Sequence, residues 1–445
     1  MATQAGIWMV AWLAMAGAGA ADEAPDPSGR ITPGVNRLPI DPTLAAQQGI
    51  RLLRGKHIAF FTDLPSSPEL DALPEVFDQA FPQWCRYFGV SAEAHAAWQV
   101  NGSLMKDKGP FQRAGLLPPD VPSFPNGYSR NYDLWLFEQD TDYYRRELFL
   151  HEGTHSFMRT LLGACGPPWY MEGMAELMGT HRWHDGKLTL NYLPQSRDEA
   201  PGWGRVKLVQ DAVAQHRAKR LREVIEFNDR AHRQTEPYAW CWAATLLLDR
   251  HPRYRERFRQ LIGHVQDPDF NAEFYRLFAP DWEQLCEEWQ LMVADLQYGQ
   301  DIVRAAIDFA AGKPLPPDGA TVKIAADRGW QSSRWQLTAG VRYRLKATGR
   351  YQLAQRPEVW WCEPGGVSIH YHQGMPLGIL LSAVRPDHLA ADASTPLLRP
   401  ITVGLGTTFT PAESGTLYLK INDSPGQLFD AAGELTVEIT AISGG

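Results

Sequence analysis

Two histidines separated by three residues, with a glutamate directly after the first, stand in the segment HEGTH at residues 151–155. Residues four apart lie on the same face of a helix, so the imidazoles of His151 and His155 can reach one metal ion. Zinc lowers the pKa of a bound water, and a neighbouring carboxylate can take the proton as that water attacks a carbonyl carbon. The pattern therefore predicts a zinc site with Glu152 as the general base. A helix that carries two histidines by chance fits the same five residues, so the surrounding elements matter.

The residues around this motif predict two successive helices. Apolar side chains recur at helical spacing over residues 144–162, and a Gly-Pro-Pro turn at residues 163–168 precedes a second helix that opens with WYMEGMAE. Glu172 of this second helix can face back towards the histidines. A catalytic zinc site needs three protein ligands and one open position, and two histidines with a glutamate from two helices are a recurrent set. His181 and His184 follow the second helix and are the alternative ligands.

Together, HEGTH and WYMEGMAE resemble the gluzincin metallopeptidases, in particular bacterial secreted families with a W-x-x-E-G-x-A-E second motif. The resemblance implies that Glu172 is the third zinc ligand and that Glu176, one turn later, orients a ligand histidine. It also implies a tyrosine on a later helix that stabilises the oxyanion of the transition state. Tyr238 is the best placed tyrosine for that role, His232 is a lesser candidate, and an aromatic in the wall of the cleft is the other interpretation of Tyr238.

Other zinc peptidase classes can be compared with the same residues. A metzincin would continue with a glycine and a third histidine, but Met158 and Leu161 occupy those positions, so that class is excluded. No G-x-M-E-N segment indicates recognition of a free amino terminus. The strand predicted at residues 133–137 could be the edge strand that holds an extended peptide.

Periodicity divides the chain into two folded parts. Strands at 56–62 and 133–137, helices at 70–88 and across much of 206–310, and a long Pro- and Gly-rich loop at 109–128 predict an α+β, zincin-like catalytic domain over residues 49–311. Residues 312–319 have the composition of a linker. From residue 320 to residue 445, apolar and polar residues alternate, which predicts an all-β sandwich of the jelly-roll or lectin-like kind.

This carboxy-terminal part resembles bacterial calcium-dependent galactose-binding lectins in the segments GWQSSRWQLTAG, residues 329–340, and NDSPGQLFDAAG, residues 422–433. The resemblance implies a Ca²⁺ site in which Asp423, the Gln427 carbonyl and Asp430 supply oxygen ligands. Ala431 stands where these lectins carry a further oxygen-bearing side chain. A β-sandwich spacer with a tight turn is the alternative interpretation.

Residues 1–20 read as a signal peptide and residues 21–48 as a flexible lead-in, which predicts a secreted or periplasmic protein; an uncleaved membrane anchor is the alternative. We expect no transmembrane span in the mature chain. The net charge of -8 argues against nucleic acid as a partner. Five cysteines are too few, and odd in number, for a disulfide-built scaffold, and buried thiols are expected.

The sequence thus predicts a secreted Zn²⁺-dependent peptidase acting on a protein, peptide or glycoprotein, with a carboxy-terminal module that targets galactose-type glycans or the cell envelope. Two alternatives stay open at this level. One is a lectin-like binding protein with an inactive zincin domain, and the other is a zinc amidase acting on cell-wall material.

Overall fold

A computed structural model describes residues 38, 40–228 and 234–442 of the chain. The predicted signal peptide, most of the predicted lead-in before residue 40, and His232 lie outside the described residues. In chain order the α-helices are α1 (Pro42–Gln47), α2 (Pro68–Asp71), α3 (Leu73–Phe88), α4 (Lys108–Arg113), α5 (Asp142–Phe157), α6 (Pro168–Gly179), α7 (Arg205–Ala214), α8 (Leu221–Ile225), α9 (Thr235–Arg250), α10 (Arg255–Gln260), α11 (Phe270–Phe278), α12 (Trp282–Ala294) and α13 (Ile302–Ala305).

The strands fall into an amino-terminal and a carboxy-terminal group. They are β1 (Arg51–Arg54), β2 (Ile58–Thr62), β3 (Val100–Met105), β4 (Gly127–Arg130), β5 (Asp133–Phe137), β6 (His181–His184), β7 (Lys187–Leu190), β8 (Lys313–Pro314), β9 (Ala320–Ala325), β10 (Gln331–Leu337), β11 (Arg342–Thr348), β12 (Tyr351–Ala354), β13 (Trp360–Cys362), β14 (Gly365–His372), β15 (Met375–Arg385), β16 (Ile401–Thr402), β17 (Gly406–Phe409), β18 (Gly415–Ile421) and β19 (Glu434–Ile442).

The amino-terminal half contains a five-stranded mixed sheet in the order β1-β2-β3-β5-β4. Its central strands are buried along their whole length because both faces are covered. Phe60 of β2 packs on one face against the core that includes α3 and α5, whereas Phe61 packs on the other face against the core that includes α1 and α4. In β2 the apolar residues are therefore continuous and do not alternate, whereas β3 also contains the buried polar residues Asn101 and Ser103.

The two outer strands of this sheet are β1 and β4, and β4 pairs antiparallel with β5 and lies against α5. The expectation that residues 133–137 form the edge strand was therefore wrong, because β5 has β3 on one side and β4 on the other. The residues that pair with it, 127–130, begin inside the segment predicted as a loop. That segment also contains α4, whose first turn is capped by the Asp107 side chain.

The carboxy-terminal region is rich in β-structure, as the change in periodicity predicts. A six-stranded sheet contains β14-β15-β18-β10-β8 with β16 beside β15, and a four-stranded sheet has the order β17-β11-β19-β9. The two sheets contribute to one hydrophobic core, in which Leu345 of β11 and Leu417 of β18 are fully buried. β8, inside the predicted linker, pairs with β10 and so belongs to this region.

A buried ion pair joins the two halves of the chain. Arg385 of β15 donates from Nε to both carboxylate oxygens of Glu287 on α12, at 3.0 and 3.1 Å, and the Thr395 hydroxyl donates to the same carboxylate at 3.0 Å. Glu287 is 1% exposed and Arg385 is 6% exposed. Nearby, His372 lies 2.8 Å from Asp295. These contacts fix the β-rich region directly on the helices.

Three further expectations can be compared with the described residues. The described part of the predicted lead-in contains α1, because Asp41 caps its first turn and Pro42 begins it. All five cysteines are buried and free of disulfides, as expected. Among the described residues, no helix is both long enough and apolar enough to span a bilayer.

Candidate metal centre

The candidate ligands come from two successive helices joined by a tight turn. The Thr141 hydroxyl caps α5 by accepting a hydrogen bond from the Tyr144 amide at 3.1 Å. After α5 the chain makes a short π-helical segment, Met158–Leu162, and Gly163 ends it with φ of 85°, a conformation that suits glycine. Pro168 then begins α6. Local residue chemistry thus sets the turn that brings α6 back onto α5.

His151, His155 and Glu172 converge on one point. The Nε2 atoms of the two histidines lie 3.1 Å apart, and Glu172 Oε2 lies 3.2 Å from His151 Nε2 and 3.3 Å from His155 Nε2. An ion bound tetrahedrally at about 2.0–2.1 Å keeps its ligand atoms roughly 3.3 Å apart. This two-nitrogen, one-carboxylate donor set therefore matches zinc in both chemistry and spacing.

The charges of the cluster fit a cation at its centre. Burial disfavours a charged imidazole, but the Glu172 carboxylate, a hydrogen bond with Cys165 and the Glu152 charge together raise the pKa of His155 well above its ordinary value. Although burial opposes it, the pKa of Glu172 is lowered by the charges and hydrogen bonds of the two histidines. Without a metal the carboxylate thus favours protons on the imidazoles. A metal ion would replace those protons, because only neutral imidazole binds metal.

Glu152 lies between the metal cluster and the edge strand. It is 6% exposed, and burial raises the pKa of its carboxyl group, opposed by the nearby imidazoles. The Ser129 side chain of β4 hydrogen-bonds to it. β4 approaches so closely that a Cβ atom added to Gly127 would lie 2.5 Å from Glu152 Oε1. A side chain at position 127 would therefore require the Glu152 carboxylate or the strand to shift.

Glu176 lies on the far side of the His151 ring from the cluster. Its Oε1 is 3.5 Å from His151 Nδ1, and its side chain is fully buried. Arg205, the first residue of α7, donates from Nε to Oε2 and from Nη2 to Oε1, both at 2.7 Å. Glu147, one turn before His151, is also buried, and burial together with the Glu176 charge raises its pKa to about 8. The sequence analysis did not identify Arg205, which no local spacing connects to Glu176, nor Glu147, although its separation of four residues from His151 places the two on one face of α5.

Tyr238 lies near the cluster on α9. Its ring centroid is 6.1 Å from that of His151, and the Arg205 guanidinium carbon lies 6.0 Å from the centre of the tyrosine ring. Burial raises the pKa of its phenol, and the nearby Glu172 and Glu152 carboxylates add to that shift. The phenol is therefore a neutral hydrogen-bond donor at neutral pH. The competing candidate, His232, lies outside the described residues.

The alternative ligands His181 and His184 are placed elsewhere. His181 is 1% exposed, with Nδ1 2.8 Å from the Gly179 carbonyl oxygen and Nε2 accepting a hydrogen bond from Arg146 Nε at 3.3 Å. Burial lowers its pKa to about 3. His184 is exposed and lies 3.2 Å from Asp185. Neither joins a cluster of metal-ligating side chains in the described ranges.

The predicted calcium residues lie in a loop that packs against the helical half. The Asp423 side chain is buried and accepts a hydrogen bond from the Ser424 amide at 2.7 Å, and burial raises its pKa to about 6. The Gln427 carbonyl accepts from the Asp430 amide at 3.0 Å. Ser424 Oγ donates to Gln297 Oε1 at 2.6 Å. This loop therefore faces the helices at the junction of the two halves.

No protein-family model matches the chain, and no curated protein matches it. Among solved structures, the chain is similar to the EclA N-terminal domain, a PllA-like lectin, at 21% identity and a TM-score of 0.21, over 27% of this chain and 95% of that one. It is also similar to IMPa from Pseudomonas aeruginosa in complex with an O-glycopeptide, at 12% identity and a TM-score of 0.17, over 61% of this chain and 27% of that one.

The IMPa metallopeptidase from Pseudomonas aeruginosa is a further similar structure, at 11% identity and a TM-score of 0.17, over 79% of this chain and 38% of that one. This chain spans between 27% and 38% of the length of these two IMPa chains. Similarities with TM-scores this low do not establish a shared fold or a shared activity. The solved structures named here, to which this chain is weakly similar, are a lectin domain and a metallopeptidase.

Proposed function

We propose that this protein is a zinc-dependent peptidase in which His151, His155 and Glu172 hold the metal and Glu152 is the general base. The observation that carries the proposal is the triangle of ligand atoms, with sides of 3.1, 3.2 and 3.3 Å, next to a buried carboxylate. Three ligands leave a fourth tetrahedral position for water or substrate. This geometry favours a catalytic site over a structural zinc site with four protein ligands.

The mechanism follows from the positions of the chain's own side chains. A zinc ion held there would lower the pKa of a bound water and polarise the scissile carbonyl. Glu152 would accept the proton on its carboxylate and pass it to the leaving amine, a transfer for which its raised pKa is suited. The Tyr238 phenol would donate a hydrogen bond to the oxyanion that develops on the carbonyl oxygen.

The edge strand supports a peptide as the substrate. Within the described residues β4 pairs with β5 and with no second strand, which leaves its outer edge as a position where an extended chain could pair. A peptide bound in this way would cross Glu152, because Gly127 lies directly over that carboxylate. A zinc amidase that acts on cell-wall peptides would use the same groups, and peptidoglycan fragments belong in the same activity assay.

For the carboxy-terminal region we propose that it targets the exported protein to glycans or to the cell envelope. This part of the proposal rests on sequence resemblance. The buried loop with Asp423 packs on the helical half, which leaves the exposed aromatic side chains as the better contact surface for sugars. Trp361 is 46% exposed and Tyr371 is 61% exposed. An inactive zincin domain carrying this surface would bind glycans and cleave nothing.

Metal analysis tests the proposal directly. We expect purified protein to contain one zinc per chain, and a strong chelator to remove both the zinc and the cleavage of a mixed peptide library until zinc is restored. His155→Ala should lose the metal, because two remaining ligands bind zinc weakly. His184→Ala is the matched control and should keep it, since His184 is exposed on β6. Protein free of zinc, or a His155→Ala variant that retains it, would contradict the proposal.

Gly127→Ala tests the contact between the edge strand and the base. Its Cβ atom would lie 2.5 Å from Glu152 Oε1 and 3.0 Å from Leu148 Cδ1, so the strand or the carboxylate must move. We expect kcat/KM to fall by about 10²-fold, as displacements near 1 Å at a catalytic group do, with zinc content unchanged. Gly263→Ala is the control, because a Cβ there meets no atom within 4 Å. If kcat/KM were unchanged in Gly127→Ala, β4 would not be part of the active site.

A further inference from the structure

Glu147, His151 and Glu176 form a second cluster of metal-ligating groups, on the opposite side of the His151 ring from Glu172. All three side chains are buried. The cluster holds two carboxyl groups away from solvent, so some cation or proton must compensate their charge. The group that supplies this positive charge also influences the orientation of the His151 ring.

Arg205 occupies that place. Its Nε and Nη2 atoms each lie 2.7 Å from a different oxygen of Glu176, which is the two-donor geometry that makes arginine-carboxylate pairs strong. Arg205 is 7% exposed, and Glu176 is 0% exposed. Both carboxylate oxygens already accept from this cation. The second cluster is therefore organised by an arginine, and a second metal ion is not needed to hold it.

The arginine also fixes where the Glu176 carboxylate points. With the carboxylate pinned by two hydrogen bonds, Oε1 stays 3.5 Å from His151 Nδ1, while His151 Nε2 faces Glu172 and His155. A histidine whose Nδ1–H is held by a carboxylate presents Nε2 to a metal in one orientation. The same guanidinium lies 6.0 Å from the centre of the Tyr238 ring.

We propose that Arg205 is a positioning residue of the metal centre, which locks Glu176 and through it the orientation of His151. The inference rests on the proposed zinc site. Arg205 is the first residue of α7 and lies 29 residues after Glu176, outside both ligand motifs. The inference therefore gives α7 a role in zinc affinity. A guanidinium is not a metal ligand, and the side chain of Arg205 donates both of its short hydrogen bonds here to Glu176, so its effect on zinc affinity is expected to pass through Glu176.

The test is the zinc dissociation constant of full-length variants, measured by competition with a chromophoric chelator. Arg205→Met is expected to raise that constant about 10–100-fold, the usual effect of losing an outer partner of a metal ligand. Arg205→Lys should show a smaller rise, because a lysine keeps the charge but cannot supply the two-donor fork. In a Glu176→Gln background, Arg205→Met should add little further loss, since the two act as one unit.

Arg385→Met supplies the matched control, because Arg385 forms the other buried pair, with Glu287. It should lower the melting temperature while leaving zinc affinity unchanged. Zinc dissociation constants for Arg205→Met and Arg205→Lys equal to that of the unmodified protein would overturn the inference, and an Arg205→Met variant that fails to fold leaves Arg205→Lys to decide. A wild-type protein that binds no zinc would overturn the proposed function and this inference together. A wild-type enzyme that binds zinc and cleaves peptides, beside unaffected Arg205 variants, would overturn the inference alone.

Discussion

Glu152→Gln is expected to lower kcat for peptide hydrolysis by about 10²–10⁴-fold while zinc content stays at the wild-type level. Glutamine has nearly the same shape as glutamate, so it keeps the packing beneath Gly127, but its amide cannot accept a proton from water. The proposed zinc ligands His151, His155 and Glu172 are unchanged in this variant. The measurement is kcat for a peptide that the wild type cleaves, together with zinc per chain in the same preparation.

The control for this substitution is Glu75→Gln on α3, where the glutamate is exposed and bonds to the Gln79 side chain. It should change neither kcat nor zinc content. If Glu152→Gln retained more than about a tenth of the wild-type kcat, well above the range for loss of a general base, another group would have to be the base. If the variant lost its zinc, its loss of activity could not be assigned to proton transfer. The expectation that zinc content is kept while kcat falls would then be wrong.

Glu287→Ala is expected to lower the free energy of unfolding by about 3–5 kcal/mol, because it leaves the Arg385 guanidinium buried without its carboxylate. Glu287 is 1% exposed and also accepts the Thr395 hydroxyl, so the change removes partners from both groups. The measurement is urea denaturation followed by tryptophan fluorescence. The pair joins α12 to β15, so the loss should be seen in both halves of the chain.

Two comparisons make this prediction specific. The double substitution Glu287→Met with Arg385→Met should be less destabilising than Glu287→Ala, because apolar side chains of similar size leave no buried charge. Lys207→Ala, which breaks an exposed pair with Asp211, should cost less than about 1 kcal/mol. A Glu287→Ala variant as stable as the wild type would mean that the two halves are not held together by this contact.

The comparison of sequence and structure is clearest around the metal centre. The helix predicted at 144–162 is observed as α5 and the π-helical segment that follows, and the strand predicted at 133–137 is observed as β5 with the same bounds. Both depend on the hydrophobic pattern of neighbouring residues. The spacing of four between His151 and His155 is also local, because one helical turn fixes which side chains share a face.

Other features depend on residues far apart in the chain. β4 begins within a Pro- and Gly-rich segment, and its place at the sheet edge comes from pairing with β5 and contact with α5. No local pattern distinguishes an edge strand from a central one when both contain mixed residues. The hydrophobic pattern therefore locates the strand at 133–137 but not its position inside the sheet, which β4 decides by pairing with it.

The sequence by itself determined the candidate ligand residues, the helices that carry them and the tight turn between those helices, because each follows from the chemistry of adjacent residues. Only the tertiary structure decided that Arg205 meets Glu176, that β4 covers Glu152 and that Arg385 reaches Glu287. These contacts join residues separated by 29, 25 and 98 positions, for which no periodicity sets a spacing. They form only when helices and sheets pack, since burial then forces each charged group to find a partner.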